Sequence, residues 1–484
     1  MAKIAPGPPG NLILGNARDF QQDIMTALMK GWREYGDVVQ YRGIGPLFPV
    51  FCLAHPDYTK HVLQDNNKNY PKTKFVDDKW RMVVGEGLIC SSGDFWKRQR
   101  RLAQPAFHRQ RIAGFAKLMT DATEEHLQEW NEPGVRGAVL DMKPQMVHLT
   151  LNILARALFS ADWSREAKAM GPAISIAIRH AYEQMEAFVS LPQSLPTPAN
   201  RRFAKARATL DEIVYRLIAE RRRTRTDNVD LLSMLMDAVD VGETGESMND
   251  EQVHDEVMTF IFGGHETVSS GLTWTFYLLS KHPIIARRVR QELSRVLGGR
   301  TPTVDDIPRL SYLTMVIEEA MRLYPPVWLI SRTPTEDDEI GGYHIPAGSM
   351  VLVSKYVVHR HPDFWENPDG FDPERFTPER VAARPRHAYF PFSAGPRKCI
   401  GDGFGVMEMQ LVLATILQRY ELDLVPGFPI IPQPGITLRQ KYGLPMMLRP
   451  LAASNGAART DGAESSSASV ATDVNGVALD LNRV

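Results

Sequence analysis

The sequence predicts a mainly α-helical fold with a small β region, and three observations predict it. Most of Phe20–Glu220 carries the apolar spacing of amphipathic helices, broken near Val39–Leu53 by a short strand pair. Asn249–Lys281 reads as a single helix of more than thirty residues. Strand signals return at Ile340–Val357, where Gly341–Gly342 and Pro346–Gly348 mark turns.

Each element has a local reason. Asn249 followed by Gln252 is a helix-opening pair, and Pro283 closes the pattern. At 1.5 Å per residue this helix spans about 45–50 Å, enough to cross a large domain. It lacks a heptad seam, so an interior position is expected rather than a coiled coil. The proline-rich stretch Leu191–Asn200 is expected to be a mobile connection between two helical patterns. Residues 1–19, with Pro6–Gly10, read as a stiff leader, and residues 20–451 as one folded domain. Beyond Leu451 the composition turns to Ala, Ser, Gly, Asp and Asn, so residues 452–484 are expected to be a disordered tail.

Bulk properties narrow the function. At 484 residues the chain could hold about three domains of roughly 150 residues, but one large fold around a cofactor accommodates the same length. A formal net charge of -1 implies neither a nucleic-acid partner nor an anionic membrane surface. Cys52, Cys90 and Cys399 are scattered and odd in number, which argues against a disulfide framework or a closed zinc site and fits a reducing cytoplasm. With no run of 18 apolar residues and no signal-like start, neither a membrane-spanning anchor nor secretion is expected.

The chemistry concentrates in Phe392-Ser-Ala-Gly-Pro-Arg-Lys-Cys-Ile-Gly401, followed at once by an apolar helix from about Phe404 to Tyr420. Cys399 therefore stands at or just before a helix N-terminus, where unpaired N–H groups favour a thiolate. Gly395 permits a tight turn, Gly401 lets a flat ring approach the backbone, and Arg397 offers a cation to a carboxylate. A lone cysteine is usually a structural thiol. Here five specified residue types at 392, 395, 397, 399 and 401 resemble the haem loop of the cytochrome P450 family at every defining position.

That resemblance covers roughly residues 5–450. It implies the P450 fold, a single domain around a buried haem b (iron protoporphyrin IX) sandwiched between the long helix and the cysteine helix, with Cys399 as the iron ligand. It also implies a monooxygenase that inserts one oxygen atom from O2 into a lipophilic small molecule: a terpenoid, fatty acid, steroid or polyketide-like compound. No flavin or nicotinamide segment remains in the chain, so electrons are expected from a ferredoxin or flavodoxin-type donor with its reductase. A cytoplasmic monomer is expected.

Further motifs agree. Two adjacent glycines inside the long helix, in Gly263-Gly264-His265-Glu266-Thr267, cost about 1 kcal/mol each relative to alanine, so a close approach or a kink must compensate. Thr267 can return its hydroxyl to the Gly263 carbonyl. By resemblance Thr267 serves oxygen activation and Glu266 proton delivery. Val268 stands where the family commonly has Thr or Ser, and His265 reads as structural. Glu319-Ala-Met-Arg322 and Pro373-Glu-Arg375-Phe resemble the family's buried triad of Glu319, Arg322 and Arg375, which holds the cysteine loop. Alone, Glu319 and Arg322 would read as an exposed pair stabilising by a few tenths of a kcal/mol.

Trp96 and Arg100 share a helix face and, with Arg332 and Arg397, resemble contacts to the haem propionates. Phe392 and Gly401 complete the expected cofactor set. Lys97, Arg98 and Arg101 read as a solvated basic face that could attract an acidic donor. Candidate pocket residues are Phe75, Leu88, Ile89, Phe260, Gly264, Val327 to Ile330, Ile436 and Thr437. The alternative activity is a haem-thiolate peroxygenase or isomerase without reductive O2 activation. The Thr267–Glu266 pair favours the monooxygenase.

Overall fold

Helix α1 (Ala17–Tyr35) opens three residues before the expected Phe20, because the Phe20 N–H already donates to the Asn16 carbonyl. The Asn16 side chain meanwhile accepts from the Arg42 N–H, tying the start of the helix to the first strand. The computed structural model describes residues 3–451, apart from 12, 44–48, 134, 136, 161–163, 187–191, 225–229 and 241–244. The expected tail, 452–484, lies outside the described residues.

The predicted strand pair is present as β1 (Val38–Arg42) and β2 (Pro49–Leu53), antiparallel with Val38 opposite Leu53. Two later strands complete the sheet: β3 (Leu329–Arg332) and β4 (Met350–Ser354), in the order β1-β2-β4-β3. Asp338–Ile340 and Tyr343–Ile345 form a separate hairpin turning at Gly341–Gly342, both in the left-handed region. The expected strand through Val357 ends early, since Lys355–Val358 is one helical turn capped by the Ser354 hydroxyl. Apolar residues on both sides of Ser354–Lys355 concealed that change of period.

The helical bulk includes α2 (Lys74–Val84), α3 (Gly93–Ala103), α4 (Met142–Phe159) and α5 (Pro198–Thr224). Helix α5 begins inside the expected Leu191–Asn200 connection. Pro198 suits a first helical position, and the Thr197 hydroxyl accepts the Asn200 N–H at 3.1 Å. Leu191 lies outside the described residues.

The long helix α6 (Asp250–Lys281) opens with the expected reciprocal cap between Asn249 and Gln252 and is buried along most of its length. Helix α7 (Ser311–Leu323) buries Leu313, Val316, Ile317 and Ala320 along one apolar stripe. The cysteine helix α8 spans Asp402–Leu417. Tyr420 starts a strand instead of ending that helix.

Candidate active site

The cysteine loop is built from its backbone outward. Gly395 has φ +68°, and a Cβ there would lie 1.9 Å from the Leu63 carbonyl oxygen, so the position admits no side chain. The resulting turn lets the Cys399 N–H donate to the Phe392 carbonyl at 2.9 Å. Burial raises the Cys399 thiol above its ordinary pKa, although the Gly401 N–H, Lys355 and Arg100 pull the other way. Metal ligation would deprotonate the thiol outright.

The facing wall belongs to α6. The Thr267 hydroxyl donates to the Gly263 carbonyl at 2.8 Å, as the four-residue spacing predicted. The two glycines do different work. A Cβ on Gly264 would meet Leu154 of α4 at 2.9 Å, whereas one on Gly263 would lie 3.9 Å from Ile89 Cδ1. Gly264 therefore packs against a neighbouring helix, a correction to its expected place in the pocket, and Gly263 is the open position. His265 is buried and neutral-leaning, with Nδ1 2.7 Å from the Ile261 carbonyl. Val268 packs on α8, its Cγ2 3.5 Å from where a Gly405 Cβ would stand.

Glu266 is mostly buried and accepts a hydrogen bond from the Thr437 hydroxyl at 2.8 Å, with the Arg439 guanidinium 3.8 Å away. Thr437 is therefore committed to the acid instead of standing as plain pocket lining. Arg439 and this link were missed in the sequence, because the partner lies 171 positions away. Helix and loop meet through Phe107, whose ring packs edge-on against Phe260 at 5.0 Å and lies 3.6 Å from where a Gly401 Cβ would be.

A cation cluster forms beside this wall. Arg397 stacks its guanidinium 3.9 Å from the Trp96 ring centroid and donates to the Ser91 carbonyl at 2.9 Å. Arg100 donates to the Lys398 carbonyl and Gln104, and Arg332 to the Ser331 carbonyl. None of the three arginines forms an ion pair with a carboxylate among the described residues. Lys72, missed in the sequence, joins them and pairs with Asp77 at 3.3 Å. Burial lowers Arg332 and Arg397 to about 10 and Lys72 to about 8. So many desolvated cations around one carboxylate are costly unless anionic groups join them.

The buried triad has the expected partners. Glu319 and Arg322 have fully buried side chains, with Arg322 Nε 2.6 Å and Nη2 2.8 Å from the carboxylate and Arg375 Nε at 3.2 Å. Arg322 also donates to the carbonyls of His359, Pro368 and Gly370. The His359 ring in turn accepts the Phe390 N–H at 3.1 Å, just ahead of the cysteine loop. Lys355, another residue the sequence hid, donates to the Pro391 carbonyl at 2.8 Å.

Several expectations need correction. Arg98 is not solvated: it is largely buried beside the buried Asp240, which the still exposed Arg101 also engages, through two nitrogens at 3.1 and 3.2 Å. Ile330 is buried in the sheet core with Phe51, Leu53 and Val353, because strand alternation turns it away from the groove. Phe260 is buried against Phe107. Phe75 is 46% exposed with the Lys79 ammonium 5.4 Å from its ring, which is not a closed apolar setting. Leu88 is buried in the loop before α3, and Val327 is 37% exposed.

Comparison with known proteins agrees with this geometry. A profile of the family "Cytochrome P450" matches residues 5–444. The chain is 41% identical to cyclooctatin synthase of Streptomyces melanosporofaciens, over 84% of this chain and 87% of that protein. It is 39% identical to cyclooctat-9-en-7-ol 5-monooxygenase of the same organism, over 81% and 84%. Among solved structures, the cytochrome P450DA heme domain superposes with a TM-score of 0.85 at 27% identity, covering 94% of this chain and 99% of that one.

Proposed function

This chain belongs to the cytochrome P450 family, and on that premise we propose a role for each residue of its site. The protein is a monooxygenase that inserts one atom of O2 into lipophilic small molecules, and its cofactor is haem b. The residues present fit that group: partly or fully buried arginines that form no ion pair with a carboxylate among the described residues suit two propionates, and Cys399 stands in the loop opposite α6 with no disulfide partner. When bound, the haem supplies an iron whose thiolate ligand favours O–O cleavage.

Cys399 is the ligand. Arg100, Arg332, Arg397 and the Trp96 indole N–H bind the propionates, with Lys72 as a further donor. Thr267 supplies a hydroxyl proton at the groove once its bond to Gly263 opens. Glu266, held by Thr437 and Arg439, passes protons to that hydroxyl. Glu319, Arg322 and Arg375 hold the loop through His359. Phe392 and Gly401 shape it. Residues 20–451 are the catalytic domain.

The observation that carries this reading is Phe107, which packs against Phe260 of α6 and lies beside Gly401, so that helix and cysteine loop border one site. The test is the carbon monoxide difference spectrum of the reduced protein. A strongly red-shifted Soret band is expected, and Cys399→His should abolish it. A native spectrum without that shift would defeat the assignment.

Relatives named for cyclooctatin and cyclooctat-9-en-7-ol support a terpenoid carbocycle as the substrate class. Electrons come from a separate redox protein, of the ferredoxin or flavodoxin type with its reductase, and a cytoplasmic monomer suits that supply. No helix among the described residues is long and apolar enough to cross a membrane.

A further inference from the structure

The loop between α2 and α3 is held at both ends by groups with no assigned role in oxygen chemistry. On α6, Asp255 and Glu256 are consecutive, and each accepts a backbone N–H of this loop. Glu86 N–H donates to Asp255 at 2.7 Å, and Leu88 N–H to Glu256 at 3.1 Å. The fit is close. A Cβ on Gly85 would lie 2.2 Å from the Asp255 carboxylate, and one on Gly87 would lie 2.1 Å from Thr259 Oγ1. At the other end, Lys72 donates to the Ile89 carbonyl and Arg397 to the Ser91 carbonyl.

Between these anchors, Ile89 reaches Gly263, whose carbonyl accepts the Thr267 hydroxyl. We propose that Asp255 and Glu256 are positioning residues that seat residues 85–91 as a strap on α6, and thereby set how far Ile89 covers the Gly263–Thr267 groove. The proposal rests on that groove being the substrate side of a P450 site. Neither carboxylate touches substrate in this scheme. Each acts through the strap backbone.

Physically, Glu256 takes up the N–H of buried Leu88, which would otherwise be orphaned, and Asp255 fixes the N–H of exposed Glu86 in place of water. Loss of Glu256 leaves the Leu88 donor unpaired, loss of Asp255 frees the Glu86 N–H to water, and in either case the strap gains an alternative to its native position. A ligand that fills the groove feels the difference. One too small to reach Ile89 does not.

The test uses the haem-loaded protein with imidazole and 4-phenylimidazole, read by the spectral shift on binding, and hydrogen exchange of residues 85–91. In Glu256→Ala, exchange of the strap amides should quicken. The dissociation constant for 4-phenylimidazole should change about threefold to tenfold, the equivalent of one buried hydrogen bond, while that for imidazole holds. Glu256→Gln should restore native values, because its amide oxygen can still accept the Leu88 N–H. Asp255→Ala should quicken exchange at Glu86. Native exchange and unchanged constants in both alanine variants would overturn the proposal. A native protein showing no shift with either azole would instead defeat the haem-site reading, and the exchange comparison would still judge the strap.

Discussion

Replacing Glu319 by Gln probes how the cysteine loop is held. Four donors converge on this carboxylate: Arg322 Nε at 2.6 Å, Arg322 Nη2 at 2.8 Å, Asp372 N–H at 2.9 Å and Arg375 Nε at 3.2 Å. An amide oxygen could serve one side, but the amide nitrogen would then face a guanidinium donor with no solvent to separate them. Two arginines would also lose their counter-charge in a fully buried site. Breaking such a pair costs about 3–5 kcal/mol. That is a large share of a typical stability of about 5–15 kcal/mol.

In equilibrium terms the Glu319→Gln change is roughly a hundredfold to several thousandfold in the folded-to-unfolded ratio. The assay is urea unfolding together with the red-shifted carbon monoxide band, since the triad reaches the loop through His359 and Phe390. Both should fall together. Glu319→Gln combined with Arg322→Met should not recover stability, because three carbonyls would lose their donor. A single variant within about 1 kcal/mol of native, with its band intact, would refute the reasoning.

Other expectations follow from single contacts. Thr267→Val removes the hydroxyl above Gly263, so product formed per reducing equivalent should fall while electron consumption continues. Glu266→Gln should slow turnover about a hundredfold or more, measured as steady-state kcat with donor in excess. Arg332→Leu or Arg397→Leu should each weaken haem retention about tenfold to a hundredfold, the value of one charged hydrogen bond, read by haem transfer to apomyoglobin. Burial raises Glu256 to about 8 from an ordinary 4.5. Between those values the folded chain keeps a proton that the unfolded chain releases, so stability falls as pH rises through that window. Glu256→Gln should therefore gain on the native protein from pH 5 to pH 8 in urea midpoint, and a constant gap would count against the burial argument.

Local pattern was enough to find the cysteine loop, because a tight turn, a fixed cation and a sulfur must follow one another along the chain. It was also enough for α6 and its cap, and for the Thr267–Gly263 bond, since a helix places residues four apart in contact whatever surrounds it. Glu319 and Arg322 were named through the family pattern. Their burial could not be read from a spacing that an exposed pair shares.

Contacts between distant segments were decided by packing. Which of two adjacent glycines faces the groove depends on where Leu154 of α4 comes to rest, and Glu266 meets Thr437 only because the C-terminal strands fold back on α6. Lys72 and Lys355 looked like ordinary surface lysines until burial against carbonyl groups gave them partners. Arg98 looked solvated until Asp240 arrived beside it. A hydrogen bond along a helix is set by the covalent spacing of the chain, whereas a contact across the core exists only after every intervening element has found its place.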